Sequence, residues 1–270
     1  MPSSNQQRPA ADDSNDFWSA LRTGVLLGGA ALVIVLPAMH YWKRPVPTAF
    51  PNAAAQVQAV PQPQAPGAPG EQQALKLAAF GDQKPTPAVR QVANWSVYSG
   101  DHQKMAIVIV DKQDARVWIF NPDGKLLSST PALLGAAIGD ESVPGIGEKP
   151  LSQVLPEEKT TPAGRFIAEP GTNMSGEDVV WVSYDLAVSM HRVRPTVKAE
   201  RRLERLASPT SADNRISFGC INLPPSFYEN VLSPTVQKYG AVVYVLPETR
   251  TPAELFGAYD VPPATHLAQR

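Results

Sequence analysis

The sequence predicts a mainly β, sandwich-like domain with few helices. Three observations carry that prediction. Short runs rich in β-branched residues recur between about 105 and 246. They are bounded by Gly, Pro, Asn and Asp turns, the usual punctuation of strands. The stretch 93–248 is long enough to enclose one hydrophobic core.

The strands are taken in order. Met105–Asp111 is a continuous apolar run and reads as a buried strand. Asp111-Lys-Gln-Asp114 turns the chain, and Ala115–Phe120 alternates as a second strand. Asn121-Pro122-Asp123-Gly124 is a strong turn signal: Pro presets φ and Gly allows a positive φ. Lys125 to about Leu134 is a third strand, which completes an antiparallel meander. Residues 135–160 hold Gly139, Pro144, Gly145, Gly147, Pro150 and Pro156, and read as an irregular excursion. Val179–Tyr184 and Leu186–Met190 are further strands, the second delivering His191. Ala241–Leu246 is expected to close the sheet, with a polar tail over 249–270.

Ahead of the domain the composition changes twice. Residues 1–22 are polar and read as a disordered tail, cytoplasmic if the domain lies outside the membrane. Gly24–Trp42 carries no Asp, Glu, Lys or Arg, and as a helix is about 28 Å long, close to a bilayer core. Tyr41 and Trp42 sit where an aromatic belt belongs, with Lys43 and Arg44 after them. The acidic tail is a poor signal-peptide n-region, and no small-x-small cleavage site follows. Residues 23–42 are therefore read as a single-pass membrane anchor. Basic residues tie across the span, with Arg8 and Arg22 before it and Lys43 and Arg44 after it, so charge does not orient it. Residues 43–92, rich in Pro, Gln and Ala, read as a linker that cannot bury enough apolar surface to fold.

The formal net charge of −1 gives no basic face for nucleic acid. The four histidines are scattered without ligand spacing, so neither a metal nor any other cofactor is expected. The chemistry then falls on Cys220, the one cysteine of the chain. It has no partner within the chain for a disulfide, which leaves a small buried hydrophobe or a reactive thiol. Gly219 before it lets a substrate approach the backbone, and Ser217 lies two residues away, on the same face if the segment is extended. A thiol at neutral pH needs a base or a cation beside it to become a nucleophile. His40, His102 and His266 lie at the span, before the first strand and in the tail. His191 alone stands at a strand end inside the domain, ahead of the cysteine.

Ser217, Gly219, Cys220 and Ile221 resemble the nucleophile motif of the L,D-transpeptidase (YkuD-type) catalytic domain. Phe218 stands where that family usually has His, and Asn222 where it usually has Arg. Thr161-Pro162-Ala163-Gly164-Arg165-Phe166 is similar to a second, less specific motif of the family. The resemblance implies Cys220 as nucleophile and His191 as its base, oriented by the Arg192 carbonyl. It implies an oxyanion hole from the Gly219 and Cys220 N–H groups, with Ser217 in support. It also implies peptidoglycan stem peptides as substrate and a periplasmic domain anchored in the inner membrane. Phe218 and Asn222 are then expected at the substrate. The gap from His191 to Cys220 is longer than that family's usual one. From 191 to 206 it carries six basic residues against two acidic ones. Arg201, Arg202 and Arg205 are read as a basic lid for stem carboxylates, against the plainer reading of a solvated helix.

Overall fold

The computed structural model describes residues 76–262. The tail at 1–22, the anchor at 23–42, the linker as far as 75, and residues 263–270 lie outside the described residues. Among the described residues, no helix is long and apolar enough to cross a membrane.

The described chain is mainly β. Ten strands form: β1 (Ala106–Asp111), β2 (Arg116–Phe120), β3 (Leu126–Pro131), β4 (Leu134–Gly135), β5 (Gly164–Thr172), β6 (Asp178–Ser183), β7 (Val188–Arg192), β8 (Arg215–Ser217), β9 (Ile221–Leu223) and β10 (Ala241–Val245). Eight of them build one sheet in the order β3-β2-β1-β10-β5-β6-β7-β9, while β4 and β8 pair separately. The meander β1-β2-β3 is antiparallel, as its tight turns require.

β5 makes the sandwich-like shape. Residues 164–168 pair with β10, and residues 169–172 pair with β6. One strand thus belongs to two half-sheets. Side chains from both halves, including Val108, Val243, Val180 and Met190, meet in one buried cluster. The opposite face of β1, with Ile107 and Ile109, packs on a second cluster. A strand covered on both faces loses polar alternation, so Met105–Asp111 reads as a continuous apolar run. Each such Val or Ile contributes about 1.5–3 kcal/mol on burial.

Three boundaries differ from the sequence reading. The linker was drawn to residue 92, yet Phe80 is buried and helix α1 (Pro87–Ser99) lies on the second cluster. Pro85 and Pro87 look like chain breakers, but Pro87 occupies the first helical turn. Its missing N–H is harmless there. Thr86 caps the helix through Val89 N–H, and Val89, Val92, Ala93, Trp95 and Val97 form its buried face. β10 does not close the sheet at an edge but lies in its centre, parallel to β1. All five of its residues are buried. The expected tail from 249 also packs, through helix α5 (Pro252–Phe256) and buried Ala258.

The excursion after β4 is irregular, as expected, with 3₁₀ turns at Ile146–Glu148, Leu151–Gln153 and Pro156–Glu158. Three further helices precede α5. Helix α2 (Arg202–Leu206) is anchored by Leu206, which packs with Leu133 and Val193. Helix α3 (Pro225–Phe227) runs through a π turn at Tyr228–Leu232 into helix α4 (Ser233–Tyr239), covering the first cluster.

Candidate active site

Parallel pairing of β7 with β9 builds the site. The register sets His191 opposite Asn222 and Met190 opposite Ile221. In parallel strands such partners share a face, so two residues 31 positions apart become neighbours. Cys220 is the residue immediately before β9. Its thiol is part exposed.

The turn into Cys220 is held from several sides. Ser217 Oγ donates to the Cys220 carbonyl at 2.6 Å and accepts the Gly219 N–H at 3.1 Å. Thr161 Oγ1 donates to the Gly219 carbonyl at 2.8 Å and accepts Gly135 N–H at 2.9 Å. Gly219 has φ +135°, and a Cβ there would lie 2.7 Å from the Thr160 carbonyl oxygen. Only glycine fits without strain. Gly219→Ala is expected to destabilise the domain by about 1–3 kcal/mol and to slow alkylation of Cys220. Urea unfolding and iodoacetamide kinetics check both.

Around the sulfur, Ser189 Oγ is 3.7 Å away and the Ala187 carbonyl 3.5 Å. The His191 ring is fixed by Nδ1, which lies 2.8 Å from the Arg192 carbonyl. A carbonyl only accepts, so Nδ1 carries the hydrogen and Nε2 is left as the basic nitrogen. Burial works against the Cys220 thiolate, but the hydrogen bond and charge of His191 and the Ser189 donors outweigh it. The thiol pKa is lowered. Burial also works against the imidazolium, yet the bond to Cys220, its charge and the Arg192 carbonyl raise the His191 pKa against repulsion from Arg202. The pair is electrostatically coupled in the sense a thiol nucleophile needs.

The sequence-read residues separate into three groups. Cys220, His191, Ser217, Gly219, Asn222 and Arg202 come together. Gly219 N–H is taken by Ser217, so it is not free to bind an oxyanion; among the described residues Cys220 N–H has no such bond. Asn222 is not on a substrate surface: it is 1% exposed. Its amide lies between Arg202 and His191. Phe218 is exposed, with Lys159 Nζ 4.2 Å from its ring centroid.

The expected basic lid is largely folded inward. Arg202 bonds Glu200 at 2.5 Å and Asn222 at 2.6 Å. Arg205 staples the loop, donating to the Glu200 and Asp213 carbonyls at 2.9 Å each. Arg201 and Arg205 line a cavity of about 340 Å³ with Glu204, Ser208 and Asp213. Backbone carbonyls and an acidic neighbour use up two of the three guanidinium groups.

Sequence reading missed Lys112 and gave Thr161 only as part of a turn motif. Lys112 Nζ is buried and donates to Gly139 O at 2.5 Å, Asp140 Oδ1 at 3.0 Å and the Thr161 carbonyl at 3.0 Å. Glu248 lies 3.4 Å from the same nitrogen. Thr161 thus joins a buried ion cluster to the nucleophile turn. No local pattern marks a lysine in a surface-type Asp-Lys-Gln-Asp turn for burial. Among the described residues, no group of three or more His, Cys, Asp or Glu side chains could hold a metal ion.

No family model matches the chain, and no curated protein does. Several solved structures resemble it. The helical cell shape determining protein Pgp2 from Campylobacter jejuni is 17% identical, with 54% of this chain and 49% of that one covered and a TM-score of 0.33. An L,D-transpeptidase from Mycobacterium smegmatis is 19% identical over 52% of this chain and 58% of that one, with a TM-score of 0.29. The catalytic domain of the E. faecium L,D-transpeptidase is 20% identical, with 53% of this chain and 98% of that domain covered and a TM-score of 0.31. The chain spans about half the length of the first two. At such identity and TM-score the likeness fixes neither family nor activity, so the functional reading rests on the site itself.

Proposed function

We propose that this chain is a peptidoglycan L,D-transpeptidase, a cysteine acyltransferase of the cell wall. The observation that supports it most is one part-exposed thiol coupled to one imidazole at adjoining strand ends. In this reading Cys220 attacks the carbonyl between an L-centre and a D-residue of a tetrapeptide stem. The thiol proton passes to His191 Nε2, and the Cys220 N–H receives the developing oxyanion. The C–N bond then breaks, and the leaving amine of the terminal D-residue takes the proton from Nε2. A thioester remains on the sulfur. An amine of a second stem attacks it, His191 accepts that amine's proton, and the thiol is restored. A preorganised oxyanion donor is worth about 3–4 kcal/mol.

The same proposal takes 23–42 as a single-pass anchor and sets the domain outside the inner membrane, because the wall it would act on lies there. Arg201, exposed beside the His191–Cys220 segment, and Phe218 are the side chains left to meet the stem. Incubating the full chain with purified tetrapeptide muropeptides, followed by mass spectrometry, tests the reading. Crosslinked dimers are expected. Trimmed monomers alone mean an L,D-carboxypeptidase, and unchanged muropeptides mean a wall-binding protein without activity.

A further inference from the structure

Arg202 reaches the base of the site through one amide, and each contact is specific. Its Nη1 donates to Asn222 Oδ1 at 2.6 Å, while its Nε is held by Glu200 at 2.5 Å. Asn222 Nδ2 lies 3.3 Å from the Cys220 carbonyl and 3.3 Å from His191 Nε2. A guanidinium has donors only, so the amide oxygen must face Arg202. The amide NH₂ is thereby turned towards Nε2 and cannot rotate away while Arg202 is present. It meets a lone pair on the neutral ring. On the imidazolium it would meet a second N–H.

We propose that Arg202, acting through the Asn222 amide, is a positioning residue that sets an N–H against His191 Nε2 and so disfavours the imidazolium and, with it, the thiolate–imidazolium form. The ion pair is then less populated than His191 alone would make it, which lessens oxidation of the cysteine before substrate arrives. Among the described residues, no other cation bonds the Asn222 amide. Arg192, the neighbour on β7, turns its guanidinium away to Asp178 and Glu229. Tyr228, from the turn after α3, lies against that guanidinium, 4.4 Å from ring centroid to carbon. Cys220 comes from the turn before β9, and Arg202 with Glu200 from the α2 end. These are the charged and titratable groups around the ring. The direction agrees with the repulsion Arg202 exerts on the imidazolium.

The role deepens the acyl-transfer proposal, but its test does not depend on that reading. With a single cysteine, iodoacetamide alkylation of the full chain followed by mass reports Cys220 alone. The rate is measured from pH 4.5 to 9 for the wild type, Arg202→Met and Glu200→Gln. Removing Arg202 takes away a positive charge and lets the amide turn its oxygen to Nε2–H. The profile is expected to move to lower pH, raising the rate at pH 6 about threefold. Glu200→Gln leaves the Arg202 charge uncompensated, and the profile is expected to move to higher pH, with a rate about threefold lower at pH 6. General loss of structure cannot move two variants in opposite directions. If Arg202→Met does not fold, the Glu200→Gln shift decides alone. Unchanged profiles, or shifts of the same sign, overturn the proposal. Opposite shifts in a chain that leaves muropeptides untouched uphold the relay and sink the transpeptidase reading instead.

Discussion

His191→Gln is expected to cut thioester formation by about 10²–10⁴, the usual contribution of a positioned general base. Cys220→Ala is expected to abolish it. Gln keeps a hydrogen-bonding side chain of similar reach but has no basic nitrogen. The thiol then loses both the group that takes its proton and the charge that lowers its pKa. Burial, the largest influence on Cys220, acts unopposed by that partner and pushes the thiol upward. The pH profile of alkylation should therefore move to higher pH in His191→Gln, opposite to Arg202→Met. His102→Gln is the comparison. His102 is buried with its ring nitrogens 2.8 and 3.0 Å from the Ser96 and Pro122 carbonyls, at the far end of α1. Its loss should lower stability and leave the Cys220 profile unmoved. Trapping of the thioester on a muropeptide, read by intact mass, measures the first effect. A His191→Gln enzyme that acylates at the wild-type rate removes His191 from the mechanism.

Lys112→Met is expected to have the largest effect on stability, about 3–5 kcal/mol, because it leaves the buried Asp140 carboxylate without its cation. Lys112 and Asp140 side chains are 0% and 1% exposed, and Arg215 still pairs with Glu248 in the variant. Asp140 has no such substitute. Burial would raise its pKa, but bonds from Thr249, the Glu248 N–H and Lys112 outweigh this and hold it far below the ordinary carboxylate range. Its stabilising contribution is therefore complete above about pH 4 and is lost as pH falls through the depressed folded value. Lys112→Met narrows that shift. The variant should unfold at a lower urea concentration at neutral pH and lose less of its remaining stability between pH 4 and pH 2. The same substitution frees the Thr161 carbonyl, whose hydroxyl holds Gly219. Cys220 alkylation should slow in the folded variant, linking a distant lysine to the nucleophile turn. Equal urea midpoints for variant and wild type would refute the account of the cluster.

How much of this was legible beforehand differs from element to element. The meander could be read because turns such as Asn121-Pro122-Asp123-Gly124 act locally, through φ preferences that need no tertiary partner. Helix α1 could not, because Pro85 and Pro87 look the same whether they break a chain or start a helix. Only the sheet face beneath Val89, Val92 and Val97 makes the second outcome favourable. The central place of β10 was hidden for a related reason: Ala241–Val245 has the composition of a buried strand, but composition does not name its neighbours. For the arginines of 201–205 the sequence leaves a basic lid and a solvated helix with local ion pairs side by side. Whether the Arg202 guanidinium faces solvent or an amide depends on a partner twenty positions away, Asn222.

By itself the sequence determined that the domain is mainly β, where most of its strands run, and that its one thiol stands in a Gly-Cys turn with a candidate base upstream. These follow from short-range preferences and from counting residue types, which the chain carries wherever it is read. Only the tertiary structure decided that His191 and Asn222 share a register, that Asn222 is a buried bridge, and that Lys112 lies beneath the nucleophile turn. Those contacts join residues tens of positions apart, and their geometry exists only once the strands that carry them have paired.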